Sequence, residues 1–254
     1  MKLNKVITSF PFVGKALLGA FFLLISPFSL LHSQSIESWL QGYQKVLVIG
    51  AHPDDPESMC AGTALKLKNA GAEVVVVYFT SGEGGITGAT EQEARDIRRA
   101  EALQACQILG MRAVFMTQVD GRSEINQARY DEMKALIEAE QPDLVLTHWP
   151  IDSHRDHRNC AILVYDAWRR TGHSFDLYYG EVMTGLQTQT FSPTHWVDIT
   201  ETRDQKIKAY LCHVSQGTDD SVKKYHDTME AMRGLECQGK WGEAFVKQLW
   251  KDPK

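Results

Sequence analysis

From residue 45 onward, two kinds of apolar spacing alternate along the chain. Runs dense in Val, Leu and Ile at Lys45–Gly50, Glu73–Thr80 and 143–147 have the composition of strands buried on both faces, and 113–116 reads as a shorter strand of the same set. Further strands are expected near 177–183 and 195–199. Elsewhere apolar residues recur every three or four positions, which predicts helices at 56–70, 90–109, 126–140, 157–171 and 202–213, with one or two more closing the C-terminus. The helix at 90 has both ends marked: Thr90 and Glu93 form a capping box ahead of Ala94, Ile97, Ala100 and Leu103, and Gly110 stops it. Strands alternating with helices make a parallel sheet wrapped by helices. The expected fold is therefore α/β: an open, mostly parallel, Rossmann-like sheet with helices on both faces. In such sheets ligands sit beyond the carboxyl ends of the strands, where the strand order reverses. That directs attention to the loops after Gly50 and after Thr147.

The first 35 residues break this pattern. Lys2, Lys5 and Lys15 precede an uncharged apolar run at 16–31, and His32, Ser33, Gln34 and Ser35 follow it. A basic start, an apolar stretch and small residues near a cleavage point are the layout of a secretory signal peptide, so export to the periplasm or the exterior is expected. The alternative is an uncleaved anchor, but sixteen residues interrupted by Pro27 fall short of the roughly 20 that cross a bilayer. With the leader removed, no stable membrane insertion is expected. Residues 36–254 then suffice for one α/β domain.

Composition narrows the partners. A formal net charge of −5 with no long basic cluster leaves no electrostatic footprint for nucleic acid, so a small molecule or a glycan is the expected partner. Five cysteines, an odd number without a C-x-x-C pair, fit small buried residues on helices better than a disulfide framework.

The two loops singled out by topology carry the chemistry. Gly50 is followed by Ala51-His52-Pro53-Asp54-Asp55-Pro56-Glu57, an imidazole and two carboxylates within four residues. An Asp before a Pro at a helix start is ordinary capping, which accounts for Asp55 and Pro56 but leaves His52 and Asp54 unexplained. After the fourth strand, His154 and His157 lie three apart with Asp156 between them, a spacing that lets both rings point one way. Two histidines and one aspartate would make a three-ligand site with an open position for water, the arrangement of catalytic zinc. Iron(II) or cobalt(II) would suit the same donors.

The chain resembles the PIG-L/LmbE-like deacetylases. The resemblance spans about residues 45–216 and rests on A-H-P-D-D at Ala51 to Asp55, T-S-G-E at Thr80 to Glu83, I-R-R-A-E-A at Ile97 to Ala102 with L-G at Leu109 and Gly110, P-D-L-V at Pro142 to Val145, H-R-D-H at His154 to His157 and H-V-S-Q at His213 to Gln216. It implies a zinc-dependent hydrolase that removes an N-acetyl group from an amino sugar or N-acetylglucosaminyl conjugate. On that pattern His52, Asp55 and His157 are metal ligands, and Asp54 is the general base activating a zinc-bound water. A protonated His154 stabilises the developing oxyanion, and Asp156 orients a histidine. Two departures stand out: Pro56 pushes Glu57 one place beyond the usual Glu, and Asp152 stands where some relatives have Tyr.

Other segments compete less well. Ser81 to Gly88 fails as a nucleotide-binding loop because Thr87 occupies the third glycine position, and reads as a rim loop. Of Arg95, Arg98 and Arg99, only Arg98 falls on the family stretch, which implies a substrate contact. Trp149, Trp168, Tyr178 and Tyr179 offer sugar-stacking surfaces or core. The rival functions are a metal-holding carbohydrate binder without turnover and a hydrolase of a non-sugar amide.

Overall fold

A computed structural model of the protein describes residues 37–250, and the expected leader lies outside the described residues. Seven strands form one sheet: β1 (Lys45–Gly50), β2 (Glu73–Thr80), β3 (Arg112–Gln118), β4 (Leu144–His148), β5 (Asp176–Gly180), β6 (His195–Asp198) and β7 (Gly242–Lys247). Their spatial order is β3-β2-β1-β4-β5-β7-β6. The first five are parallel, and β7 runs antiparallel to both β5 and β6.

The apolar runs are explained by burial on two sides. Leu47 and Ile49 of β1 join Val75, Val77 and Val145 in a core covered by α3 (Gln127–Glu140) and α4 (Arg155–Arg170). Val46 and Val48, one residue out of phase, pack against Met59, Ala64 and Leu67 of α1 (Asp55–Asn69). Helix α2 (Glu91–Leu109) covers Val76 and Tyr78 beside it. The capping box of α2 is present, and Gly110 ends the helix in the left-handed conformation at φ 65°.

Strand β1 pairs with β2 on one side and with β4 on the other, so the order reverses between β1 and β4. Pairing of Ile49 with Thr147 brings the ends of these strands level, and Ala51 N–H donates to His148 Nε2 at 2.8 Å across the gap. Gly50 lets β1 turn straight into α1, because a Cβ there would lie 2.5 Å from the Pro56 ring.

The C-terminal region departs from the expectation. After α5 (Arg203–Tyr210) come a short helical turn at Thr218–Ser221, a π-helical turn at Val222–His226 and the helix α6 (Asp227–Cys237), but the described chain ends in β7. That strand carries Glu243 and Lys247 among its six residues, so no apolar run announces it. Glu243 is buried and reaches into α1, which is broken at Cys60 (φ −156°, ψ 21°). Its carboxylate accepts from Gly62 N–H at 3.0 Å and Thr63 N–H at 2.7 Å, capping the second half of the helix, and Lys206 of α5 donates to it at 2.7 Å. The five cysteines are unpaired. No helix among the described residues is long and apolar enough to cross a membrane.

Candidate metal centre and active site

The reversal between β1 and β4 holds a cavity lined by His52, Asp54, Asp55, Arg98, His154 and His157, among others. His52 leaves β1 and Asp55 opens α1. His154 caps α4, and His157 lies in its first turn. Asp55 is the hub. Its Oδ2 lies 2.9 Å from His52 Nδ1, 3.3 Å from His157 Nε2 and 3.4 Å from His148 Nε2.

Each imidazole is held from behind. His52 Nε2 faces Asp156 Oδ2 at 3.2 Å and Asp120 Oδ1 at 3.1 Å. Asp156 is itself anchored by Gly121 N–H at 2.6 Å and the Ser123 hydroxyl at 2.5 Å. His157 Nδ1 lies 3.2 Å from Asp152 Oδ1, and Thr188 donates to the other oxygen of Asp152 at 3.1 Å. His154 Nδ1 accepts the Asp156 N–H at 3.3 Å, which leaves its Nε2–H as the free donor.

The charges follow from this packing. Burial disfavours an imidazolium at His52, but Asp55, Asp120 and Asp156 outweigh it and raise that ring well above its ordinary range. His157 is also opposed by burial and is raised to about 9 by Asp55 and Asp152. Burial and the neighbouring His157 lower His148 to about 4. Burial, with His52 and His157, lowers His154 as well. That direction works against the imidazolium expected at His154. Asp55 is held well below the carboxylate range by His157, His148 and His52 in spite of its burial. Burial pushes Asp54 up to about 6 against the pull of Arg98 and with the help of Asp55.

The donor set fits a divalent cation. Ligands at about 2.0–2.2 Å around a tetrahedral ion lie roughly 3.3 Å apart, close to the Asp55 to His157 separation and slightly beyond the Asp55 to His52 one. Three overlapping groups converge within 4.8 Å: His52, His154 and His157; His52, Asp120, His154 and Asp156; Asp55, His148 and His157. The expected trio of His52, Asp55 and His157 is not itself one of these groups: His52 falls in the first two, Asp55 in the third, and His157 links the first to the third.

Asp54 faces otherwise. Its side chain is 20 % exposed against 7 % for Asp55, and Arg98 Nη2 holds its Oδ2 at 3.2 Å. Arg98, only 3 % exposed, also donates to the Pro53 carbonyl and lies 3.7 Å from Asp120.

Comparison with known proteins bears on this geometry. The PIG-L family profile, described as GlcNAc-PI de-N-acetylase, matches residues 47–168. The diacetylchitobiose deacetylase of Thermococcus kodakarensis is 31% identical over 192 residues, covering 70% of this chain and 72% of that protein. The chain belongs to the PIG-L/LmbE-like deacetylase family. Among solved PIG-L-like structures, the N,N'-diacetylchitobiose deacetylase from Pyrococcus horikoshii superposes with a TM-score of 0.70 at 26% identity, covering 89% of this chain and 95% of the other. A 4-oxalmesaconate hydratase of Pseudomonas putida is 24% identical over 86% of this chain and 90% of its own length.

The structure brings the candidate site residues His52, Asp54, Asp55, Arg98, His154, Asp156 and His157 to one place. Three further groups escaped the sequence: Asp120, His148 and Asp152 as the partner of His157. His148 ends β4 at the carboxyl edge of the sheet, so the topological rule that selected the loops also reaches it. Asp120 sits alone after β3 without a spacing partner. Glu57, displaced by Pro56, is buried away from the cavity, accepting from Tyr78 at 2.5 Å with His213 3.4 Å away. Gly84 and Gly85 of the rim loop line the cavity. Trp168, Tyr178 and Tyr179 are core, and Trp149 packs on Tyr179 and Phe191.

Proposed function

We propose that the protein removes the acetyl group from an N-acetylated amino sugar or an N-acetylglucosaminyl conjugate. His52, Asp55 and His157 hold one divalent cation, zinc in the first instance, with iron(II) or cobalt(II) suited to the same donors. The cation supplies Lewis acidity toward the acetamide oxygen and toward water. The observation that carries the reading is Asp54. Its carboxylate stands beside the cluster, belongs to none of the convergent donor groups and opens on the cavity. A protein that only held metal or sugar has no use for such an acid.

Asp54 takes the proton from water as oxygen attacks the carbonyl carbon, and returns it to nitrogen as the C–N bond breaks, giving acetate and the free amine. Arg98 fixes the carboxylate that does this and, with Asp120, offers charge to sugar hydroxyls. His154 donates its Nε2–H where the carbonyl oxygen gains charge, and Asp156 holds His52 in orientation. Export, expected from residues 1–35, would set this chemistry among cell-envelope glycans.

Acetate release from N-acetylglucosamine, chitooligosaccharides, peptidoglycan fragments and glycolipid headgroups tests the reading. Release that chelation abolishes and added metal restores is expected. Acetate from a non-sugar acetamide alone would move the substrate, and hydration of 4-oxalmesaconate without acetate would overturn the reaction in favour of that of the Pseudomonas relative.

A further inference from the structure

Beside the catalytic cavity lies a second depression, lined by Met183, Thr184, Tyr225, Thr228, Met229 and Met232, with the exposed Lys224 at its edge. Met183 lines both spaces, so the two adjoin. Met183 holds φ 47°, a left-handed conformation uncommon for a residue with a long side chain. Tyr225 comes from a π-helical turn, Val222–His226, that leads into α6.

The groove is built rather than incidental. On one side Arg233 of α6 grips Glu181, two residues before Met183, through bonds of 2.6 and 2.9 Å, and both residues are buried. On the other, Thr188 closes the Met183 loop by accepting from Val182 N–H at 2.8 Å and donates to Asp152, which lies behind His157. The walls of the groove and the candidate metal centre are thus tied to one another. Three thioethers and one aromatic ring dominate this lining, beside Thr184 and Thr228, and Met232 is 43% exposed. The Thr184 hydroxyl is already taken by Glu181, and the thioethers adapt to apolar shapes.

We propose that this groove binds an apolar alkyl or aryl aglycone carried by the amino sugar. The inference rests on the deacetylase reading, because that reading limits the acyl group to acetyl and leaves the other end of the sugar to supply an apolar extension. The groove is therefore a specificity site: it raises kcat/KM for glycosides with an apolar tail, chiefly through KM, since the aglycone takes no part in the bond change.

The test compares acetate release from methyl and octyl N-acetylglucosaminides and from diacetylchitobiose, beside octanoate release from N-octanoylglucosamine. Octyl should exceed methyl in kcat/KM by about ten-fold or more, and Met232→Asp should bring that ratio toward one. Calorimetry with chelated protein should show the octyl glycoside binding with negative ΔCp, and Met232→Asp weakening it. An octyl-to-methyl ratio near one, with acetate still released, overturns the groove and leaves the deacetylase reading intact. Preference for diacetylchitobiose or for N-octanoylglucosamine puts a sugar or an acyl chain there and overturns it too. Acetate from none of the sugars defeats the deacetylase reading, and the groove assignment with it.

Discussion

Asp54 and Asp55 are adjacent in sequence and differ in nearly everything else. Asp55 points into a nest of imidazoles, while Asp54 adopts φ 125°, ψ −31° and faces the cavity under the guanidinium of Arg98. A backbone in that region costs on the order of 1–3 kcal/mol, and such strain persists where the surroundings enforce it. Asp54→Asn preserves shape and removes the base, so it should retain metal and lose about 100-fold or more in turnover, measured as acetate release beside elemental analysis. Full activity in the metal-loaded variant would remove Asp54 as the base. Asp152→Asn should weaken metal affinity by about 10- to 100-fold, read by competition with a chelating dye, because His157 loses the carboxylate behind its Nδ1. His52, Asp54, Asp55, His154, Asp156 and His157 were legible because they arrive in two dense clusters beside strands. Asp120 and His148 are single residues, and a lone titratable side chain forms no pattern.

The elements show a similar division. Strands β1, β2 and β4 read clearly because both of their faces are buried and their central positions are almost all Val, Leu or Ile. Helix α2 read clearly because its capping box and stop glycine are local chemistry. The break in α1 at Cys60 was invisible, since the group that satisfies the freed N–H donors, Glu243, lies 180 residues away from Thr63 in β7. β7 itself was missed for the same reason: its Glu is buried on a helix terminus and a lysine rather than exposed. Glu243→Ala should therefore destabilise the fold by about 3 kcal/mol, seen as a lower urea midpoint. An unchanged midpoint would show that the cap contributes nothing.

At the scale of the whole molecule, the C-terminal third is held to the sheet by buried charge. Lys206 lies between Glu230 and Glu243 at 2.8 and 2.7 Å. Burial works against the Glu230 carboxylate, but Lys206 and His226 lower it from 4.5 to about 2. Because the folded value lies below the unfolded one, this stabilisation is complete above about pH 4.5 and disappears as pH falls through about 2. Thermal melts should show Tm falling across that window, and Glu230→Gln should flatten the fall. If residues 1–35 are a leader, mass spectrometry of the exported protein should find them gone, whereas an intact N-terminus in the membrane fraction would indicate an anchor. The topology also sets the deepest requirement, that loops about 100 residues apart in sequence meet where the strand order reverses. Anomalous diffraction at the metal's absorption edge tests it directly. One peak about 2.0–2.3 Å from a nitrogen of His52, an oxygen of Asp55 and a nitrogen of His157 is the predicted result. A peak held instead by His148 or Asp120, or none at this site in metal-loaded crystals, would contradict it.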